Sequence, residues 1–590
     1  MLIDFSLNNY LSFADETNFI MVASNTVKEC ENEIDSGSNV WKKARKMKHL
    51  YSVTLIGTLA LLLYGCRPTP TCLPEDTAFD YASLNTRARK AYLEPIRPGY
   101  EGRNPYWNVF AHKFLYAPAF DFETASGATA YRYTLTQGAH SHTFEAATPN
   151  GSLSAVWDSL PVGNTELVVE AIDGDGKVLA EVGRRSFFRD YPFQGPYRPA
   201  ARNYREAAIK GMLFVHNCPP IRHWLTHNEP DMSFENNTYA CKIIGATVRL
   251  ECLLARECPS VKDEALLIAR NAAECLINHS FAEGTPLAFF PPTYYLEPDN
   301  KEGWPCHTYN INKGKTMFLE AVMPADAFLD LYDATGEERY LTQTLRIMDT
   351  YQRMQNPDGS FPIKVSITDG RIEDKTACST PTPLLELIQR LGCDYGVHKY
   401  DSIISRTEKW VNENVLRTFD LTGQFEDQTM TDLPPYKNLN NCTANAHAVY
   451  LLRKTDATPT DIQNAIDLIH MSEDQFVHWD CQPDSIGFTW EATPCVHEQY
   501  EYEMPVDDSA SGMALSFYEL YRRTNDDLCL AKAIALMDAI TRVQNTTNGQ
   551  IPTTWEFVSG QWDSDRTFWP NCTLACAQVL LQFSSEGFGE

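Results

Sequence analysis

The stretch Val496–Gly512, VHEQYEYEMPVDDSASG, crowds carboxylates, a histidine and two tyrosines ahead of a segment rich in small residues. With Glu491 just upstream, His497, Glu498, Glu501, Glu503, Asp507 and Asp508 are close enough in sequence to ring one site. Such a set suits general acid–base chemistry. Carboxylates held together raise one another's pKa, which keeps one protonated beside an ionised neighbour. Cleaving a glycosidic bond needs two carboxyls, one on either side of the bond. Glu498, Asp507, Glu491, His497 and Asp508 are therefore the candidate catalytic residues, with acid and base expected from Glu498, Asp507 or a neighbour such as Glu491. Asp508 has a competing account. It is in register with Asn441 and Asn571 at other helix starts, so it is also a candidate helix cap.

Other side chains suit a sugar. Trp224, Trp304, Trp490, Trp555, Trp562 and Trp569 fall in long connecting segments. Indole faces stack on the apolar faces of pyranose rings, while amides, carboxylates and histidines bond hydroxyls. The candidate substrate-binding residues are Trp490, Tyr500, Tyr502, His227, Trp224, His307, Asp427, Trp555 and Trp569. His223, His227 and Glu229 have the residue types of a metal site, but the intervening WLTHNEPD reads as loop, so helical i, i+4 ligation is not expected. No metal and no cofactor are expected.

The elements that position these residues repeat. From about residue 200 the apolar period is helical. Glycine-bearing turns follow helices at Gly284, Gly359, Gly423, Gly487 and Gly549, the last four roughly 63 residues apart. A second series agrees: helices begin near Asn237, Lys315, Cys378, Asn441, Asp508 and Asn571, and others near 202, 261, 337, 398, 459 and 528. Starts rich in small residues suit a crowded inner ring, and the alternate helices suit an outer one. Paired helices that cannot bury their apolar faces alone must stack. The expected architecture of 196–590 is a closed (α/α)6 toroid, an open solenoid being the alternative. Inner-to-outer links such as ATGEE at Ala334 are short. The outer-to-inner ones, at about 219–236, 282–314, 357–377, 418–440, 478–507 and 546–570, are long and aromatic, and should gather at one mouth.

On repeat count and the glycine turns QNPDGSFP and QNTTNGQIP, residues 200–586 resemble the six-hairpin glycosidase superfamily. The resemblance implies a mainly α fold serving glycoside hydrolases, polysaccharide lyases and epimerases. Asp507-Asp508 is similar to the adjacent Asp pair used by some six-hairpin mannan hydrolases. A hydrolase of an oligo- or polysaccharide is the leading expectation. A lyase or other uronate-acting enzyme, with His307 and Tyr309 as base and acid, is the alternative. A non-catalytic glycan-binding surface lipoprotein is a second alternative.

Ahead of the helices, residues 100–195 alternate with period two, as in Tyr131, Tyr133 and Leu135, and ELVVEAIDGDGKVLAEVGRRSFF reads as two strands about a tight turn. A small immunoglobulin- or fibronectin-like β-sandwich is expected there. Residues 47–66 place basic residues before a short apolar run ending Leu63-Tyr64-Gly65-Cys66. The run has signal-peptide length, and its end resembles the bacterial lipobox, implying lipidation of Cys66 and membrane attachment through that anchor in the cell envelope, at the outer membrane. Residues 67–99 then read as a tether. Residues 1–46 resemble the opening strands of AAA/RecF-like ATP-binding proteins, but YNINKGKT has Tyr309 in place of the first Walker glycine. They are read as a mis-start or fusion remnant. With 77 acidic against 50 basic residues the net charge is −27, which argues against nucleic acid as a partner.

Overall fold

The computed structural model describes residues 79–96, 107–295, 312–373, 380–423, 436–480, 493–500, 502–558, 561–563 and 568–590. The expectations placed on residues 1–66, on Cys66, and on Trp490, Glu491, His307 and Asp427 lie outside these, as does the side chain of Tyr502. Among the described residues no helix is long and apolar enough to cross a membrane.

Between Tyr204 and Ser585 the helices alternate between two rings. The outer helices are α2 (Tyr204–Asn217), α4 (Lys262–Asn278), α6 (Glu338–Met354), α8 (Asp401–Glu413), α10 (Pro459–Phe476) and α12 (Asp527–Val543). The inner ones are α3 (Gly245–Glu257), α5 (Val322–Thr335), α7 (Thr382–Tyr395), α9 (Asn441–Arg453), α11 (Asp507–Thr524) and α13 (Pro570–Ser585). Each inner helix packs on the next, α3 on α5 and so on to α13, which returns to α3 and to α2. The ring is closed, which excludes the open solenoid.

Short links join inner to outer helices. Three of them turn on a residue in the left-handed region: Gly336, Gly396 and Asn525, with φ of 72°, 65° and 54°. Charged side chains on the inner faces stitch neighbours together. Arg249 of α3 pairs with Asp326 and Asp330 of α5, each at 2.8 Å, and Arg390 of α7 reaches the same two aspartates. Arg453 of α9 pairs with Glu519 of α11 at 2.8 Å and donates to Gln582 of α13. Glu386 of α7 lies among these charges, and burial lifts its carboxyl to about 7. Its folded pKa exceeds its unfolded one, so its stabilising contribution is full below about pH 4 and is lost as pH rises through 7. Glu386→Gln should therefore be more stable than wild type by about 3 kcal/mol at pH 8 and no more stable at pH 4, as read by urea unfolding.

The repeated glycine turns lock the outer ring. Gln355 caps α6 and donates to Gly359 O at 3.1 Å and to Thr407 of α8 at 2.9 Å. Gln544 caps α12 and donates to Gly549 O at 2.7 Å and to Ala207 O of α2 at 2.9 Å. One device thus ties a helix to its successor, and its last copy ties the end of the ring to its start. Gly549 has φ of +83°, and a Cβ there would lie 3.0 Å from Lys210 O. Gly549→Ala combines a strained backbone with a clash, and should cost about 2–4 kcal/mol in chemical unfolding.

Residues 113–189 form one sheet, ordered β1 (Lys113–Phe114), β5 (Val178–Arg189), β4 (Gly163–Ile172), β2 (Ala130–Gln137) and β3 (His140–Ala146). Tyr131, Tyr133 and Leu135 alternate inward as expected, onto Phe114, Phe120, Leu153, Trp157 and Phe187. The two-sheet sandwich is corrected to this single layer among the described residues. The chain after β1 and the short helix Ser154–Trp157 cover the apolar face, while Arg132, Glu145, Glu166, Glu181 and Arg184 pair on the other. The tether reading also needs correction for part of its span. Residues Tyr81–Ala91 form helix α1, and Leu84, Ala88 and Tyr92 are buried in the main core.

The sheet is fastened to the end of α10. Asp474 accepts from the N–H groups of Leu115 (2.6 Å) and Tyr116 (2.7 Å). Asp190 accepts from Lys113 at 2.8 Å and meets His478 at 3.0 Å.

Candidate functional site

Backbone bonds link successive long connections at the end where the inner helices begin. Tyr295 N–H donates to Thr238 O (2.7 Å), Phe318 to Ile363 O (2.8 Å), Tyr500 to Leu439 O (3.1 Å) and Trp555 to Pro505 O (2.9 Å). The Asn236 amide donates to Phe568 O at 3.0 Å, joining the last connection to the first. Among the described residues, five of the six neighbouring pairs of connections are joined in this way, the third and fourth excepted, so their described parts lie at one end of the ring.

The opening stretch is a hairpin and not a loop: β9 (Cys495–Gln499) pairs with β10 (Tyr502–Pro505) and with β8 (Val477–His478). Successive side chains of a strand face opposite ways. This separates His497 from Glu498. The His497 ring packs 4.4 Å from the ring of His478, on the side of Asp190 and Lys113, where burial holds its pKa well below the ordinary histidine value. It is a junction residue, which corrects its catalytic assignment. Tyr500 is corrected likewise: its hydroxyl donates to Gln475 at 2.6 Å and its ring packs on Phe476.

Glu498 faces the ring. Its charge, with that of Asp508, raises the pKa of both the Cys442 thiol (α9) and the Cys572 thiol (α13), after burial itself. The three elements α9, α11 and α13 thus converge on one acidic spot. The helix begins at Asp507, with Val506 as its cap residue, and neither aspartate caps it; Asp507 instead accepts the Asp508 N–H at 2.7 Å. Asp507 is fully buried against the Cys576 thiol, and burial, then Asp508, push its carboxyl well above the ordinary range. Asp508 is half-buried. Burial lifts it to about 6, against the pull of Lys242. A first-turn carboxylate is favoured by the helix dipole, so desolvation outweighs the dipole here. Asp508 is the more accessible member of the pair, and Asp507 is fully buried.

Sequence reading missed Lys242. It lies in the wide helical turn Ala240–Ile244 that leads into α3. Its ammonium is 5.6 Å from the Trp569 ring centre and 5.9 Å from that of Tyr239. Trp569 and Tyr239 are 5.4 Å apart, and Tyr239 and Tyr294 5.8 Å. Wide turns of this kind recur at functional sites, but no periodicity announces them. Asn445, one turn beyond Asn441 on α9, is buried, and among the described residues neither of its side-chain polar atoms has a hydrogen-bond partner. A buried amide left in that state is satisfied by a hydroxyl or a water.

The remaining candidates separate. Trp569 stands at the mouth. Trp224 and Trp555 are fully buried core residues, which corrects their substrate role. His227 stacks on His223 at 3.8 Å, and Glu229 turns away from both to His279, at 2.9 Å.

No family model matches this chain, and no curated protein matches it. Solved structures do. A family 76 glycoside hydrolase from a bovine Bacteroides thetaiotaomicron strain is 11% identical, with 79% of this chain and 99% of that one covered and a TM-score of 0.41. A cellobiose 2-epimerase from Spirochaeta thermophila is 12% identical over 65% and 98%, with a TM-score of 0.43. An unsaturated glucuronyl hydrolase from Streptococcus agalactiae is 9% identical over 66% and 93%, with a TM-score of 0.40. Likenesses of this size select no reaction.

Proposed function

We propose that this protein is a carbohydrate-active enzyme, a glycoside hydrolase that cleaves an oligo- or polysaccharide at the mouth of the helical ring. The observation that carries the reading is the convergence of Asp508 and Glu498 beside Lys242, Trp569 and Tyr239. In this reading Asp508 is the base. Lys242 favours its anion, and a carboxyl at about 6 is ionised at neutral pH yet basic enough to take a proton. Glu498 supplies the acid. Asp507, buried behind them, positions Asp508 through the backbone. Trp569 offers an indole face for a pyranose ring, and Asn445 offers an amide to a hydroxyl.

One observation favours the uronate alternative: Lys242 beside the Tyr239 ring is a cation that can pair with a sugar carboxylate. A glycan panel with product analysis separates the two. Hydrolysis yields new reducing ends without ultraviolet change, whereas elimination on uronate polymers raises absorbance at about 235 nm. Failure to release product from any glycan would overturn the enzymatic reading. We also propose, on the sequence around Cys66, that the enzyme is a lipid-anchored lipoprotein of the bacterial cell envelope. Metabolic labelling with a fatty-acid probe, lost in Cys66→Ala, tests it.

A further inference from the structure

Away from the acidic spot, three chain segments bring a thiol, an imidazole, a carboxylate and a phenol together. Cys275 and His279 stand one turn apart at the C-terminal end of α4. Glu229 comes from the first long connection and Tyr295 from the second. One ligand atom each from Glu229, Cys275 and His279 lie within 4.8 Å of one another. His279 Nε2 is 2.9 Å from Glu229 Oε2, the Tyr295 hydroxyl is 2.6 Å from the same oxygen, and Cys275 Sγ is 3.9 Å from it.

We propose that Glu229, Cys275 and His279 form a binding site for a divalent zinc-class cation, with the Tyr295 hydroxyl or water as the fourth donor. A sulfur, a nitrogen and an oxygen are the donor set such ions take in four-coordinate sites. Bonds of about 2.0–2.3 Å place tetrahedral ligands roughly 3.3–3.7 Å apart, which the present 2.9 and 3.9 Å separations bracket. Cys275 and His279 are themselves at most 4.8 Å apart, so side-chain adjustments of about an ångström bring the three donors into range. Two of the ligands are one turn apart on a helix, which fixes their relative placement. Burial, then Glu229, raise the Cys275 thiol pKa. A cation reverses that effect: the Cys275 proton leaves to solvent as the sulfur–metal bond forms. Tyr295 N–H also holds Thr238 O, next to Tyr239, so the ion would pin the first two connections of the mouth together. The proposal stands whichever reaction the mouth performs.

The test uses the full chain, stripped with a chelator and titrated with Co2+. The expected result is one cobalt per chain, giving the intense visible bands of a tetrahedral ion and a near-ultraviolet thiolate charge-transfer band. Zn2+ should bleach both and raise Tm by several degrees. Both bands should be lost in Cys275→Ser and His279→Gln, and kept in Cys393→Ser, which removes an exposed thiol elsewhere. Weak octahedral bands, no bands in wild type, or bands that survive in Cys275→Ser would overturn the site.

Discussion

Asp508→Asn should lower kcat/KM on the cleaved glycan by at least about 10³-fold while leaving its binding within a few-fold of wild type. The asparagine keeps the volume and the place on α11 but cannot take a proton. With Asp508 as the proposed base, the acid limb of the wild-type rate profile should fall at about pH 6, where its carboxyl takes up a proton. Lys242→Met removes the cation that favours the anion, so the same limb should move to higher pH. A purely structural role for Lys242 would change the rate without moving the limb. Asp507→Asn should be milder, since Oδ1 remains to accept the Asp508 N–H.

Lys532→Met should destabilise the fold by about 3–5 kcal/mol, a large share of the stability typical of a folded protein, as read by urea unfolding. Lys532 and Glu473 are both buried, and Lys532 Nζ lies 2.6 Å from Glu473 Oε1. Glu473 also accepts from Tyr92 (2.7 Å), Tyr116 (2.9 Å) and Trp479 (3.0 Å). Burial alone would raise its pKa, but Lys532 overrides burial and holds it below the ordinary value. Removing the lysine leaves a buried charge beside three donors that cannot neutralise it. The single site joins α1, the segment after β1, α10 and α12, so its loss loosens the sheet and the ring together. The double variant Lys532→Met with Glu473→Gln should recover part of the loss in urea unfolding, because no unpaired charge then remains.

The ring was readable because its cause is periodic. The starts of α9, α11 and α13 fall within one residue of the expected Asn441, Asp508 and Asn571. The starts of α3 and α5 come several residues later than expected, at Gly245 and Val322. Tight and wide turns occupy the approach to α3, and strand β6 (Lys315–Met317) with a tight turn the approach to α5; apolar side chains there carry no sign of when the helix begins. The candidate site was readable only in part. Composition placed carboxylates at the mouth, but a two-residue period on β9 decided that Glu498 faces it and His497 does not. Trp224 and Trp555 look like Trp569 in sequence; only packing distinguishes a core indole from one at the rim. Lys242 lies more than 250 residues from Asp508, and nothing local signals a partner so far along the chain.

The most direct test is a crystal structure of Asp508→Asn with the oligosaccharide that wild type cleaves. The account predicts the scissile bond between residue 508 and Glu498, with one sugar ring against Trp569. A sugar bound at another surface, with the mouth empty, would contradict it.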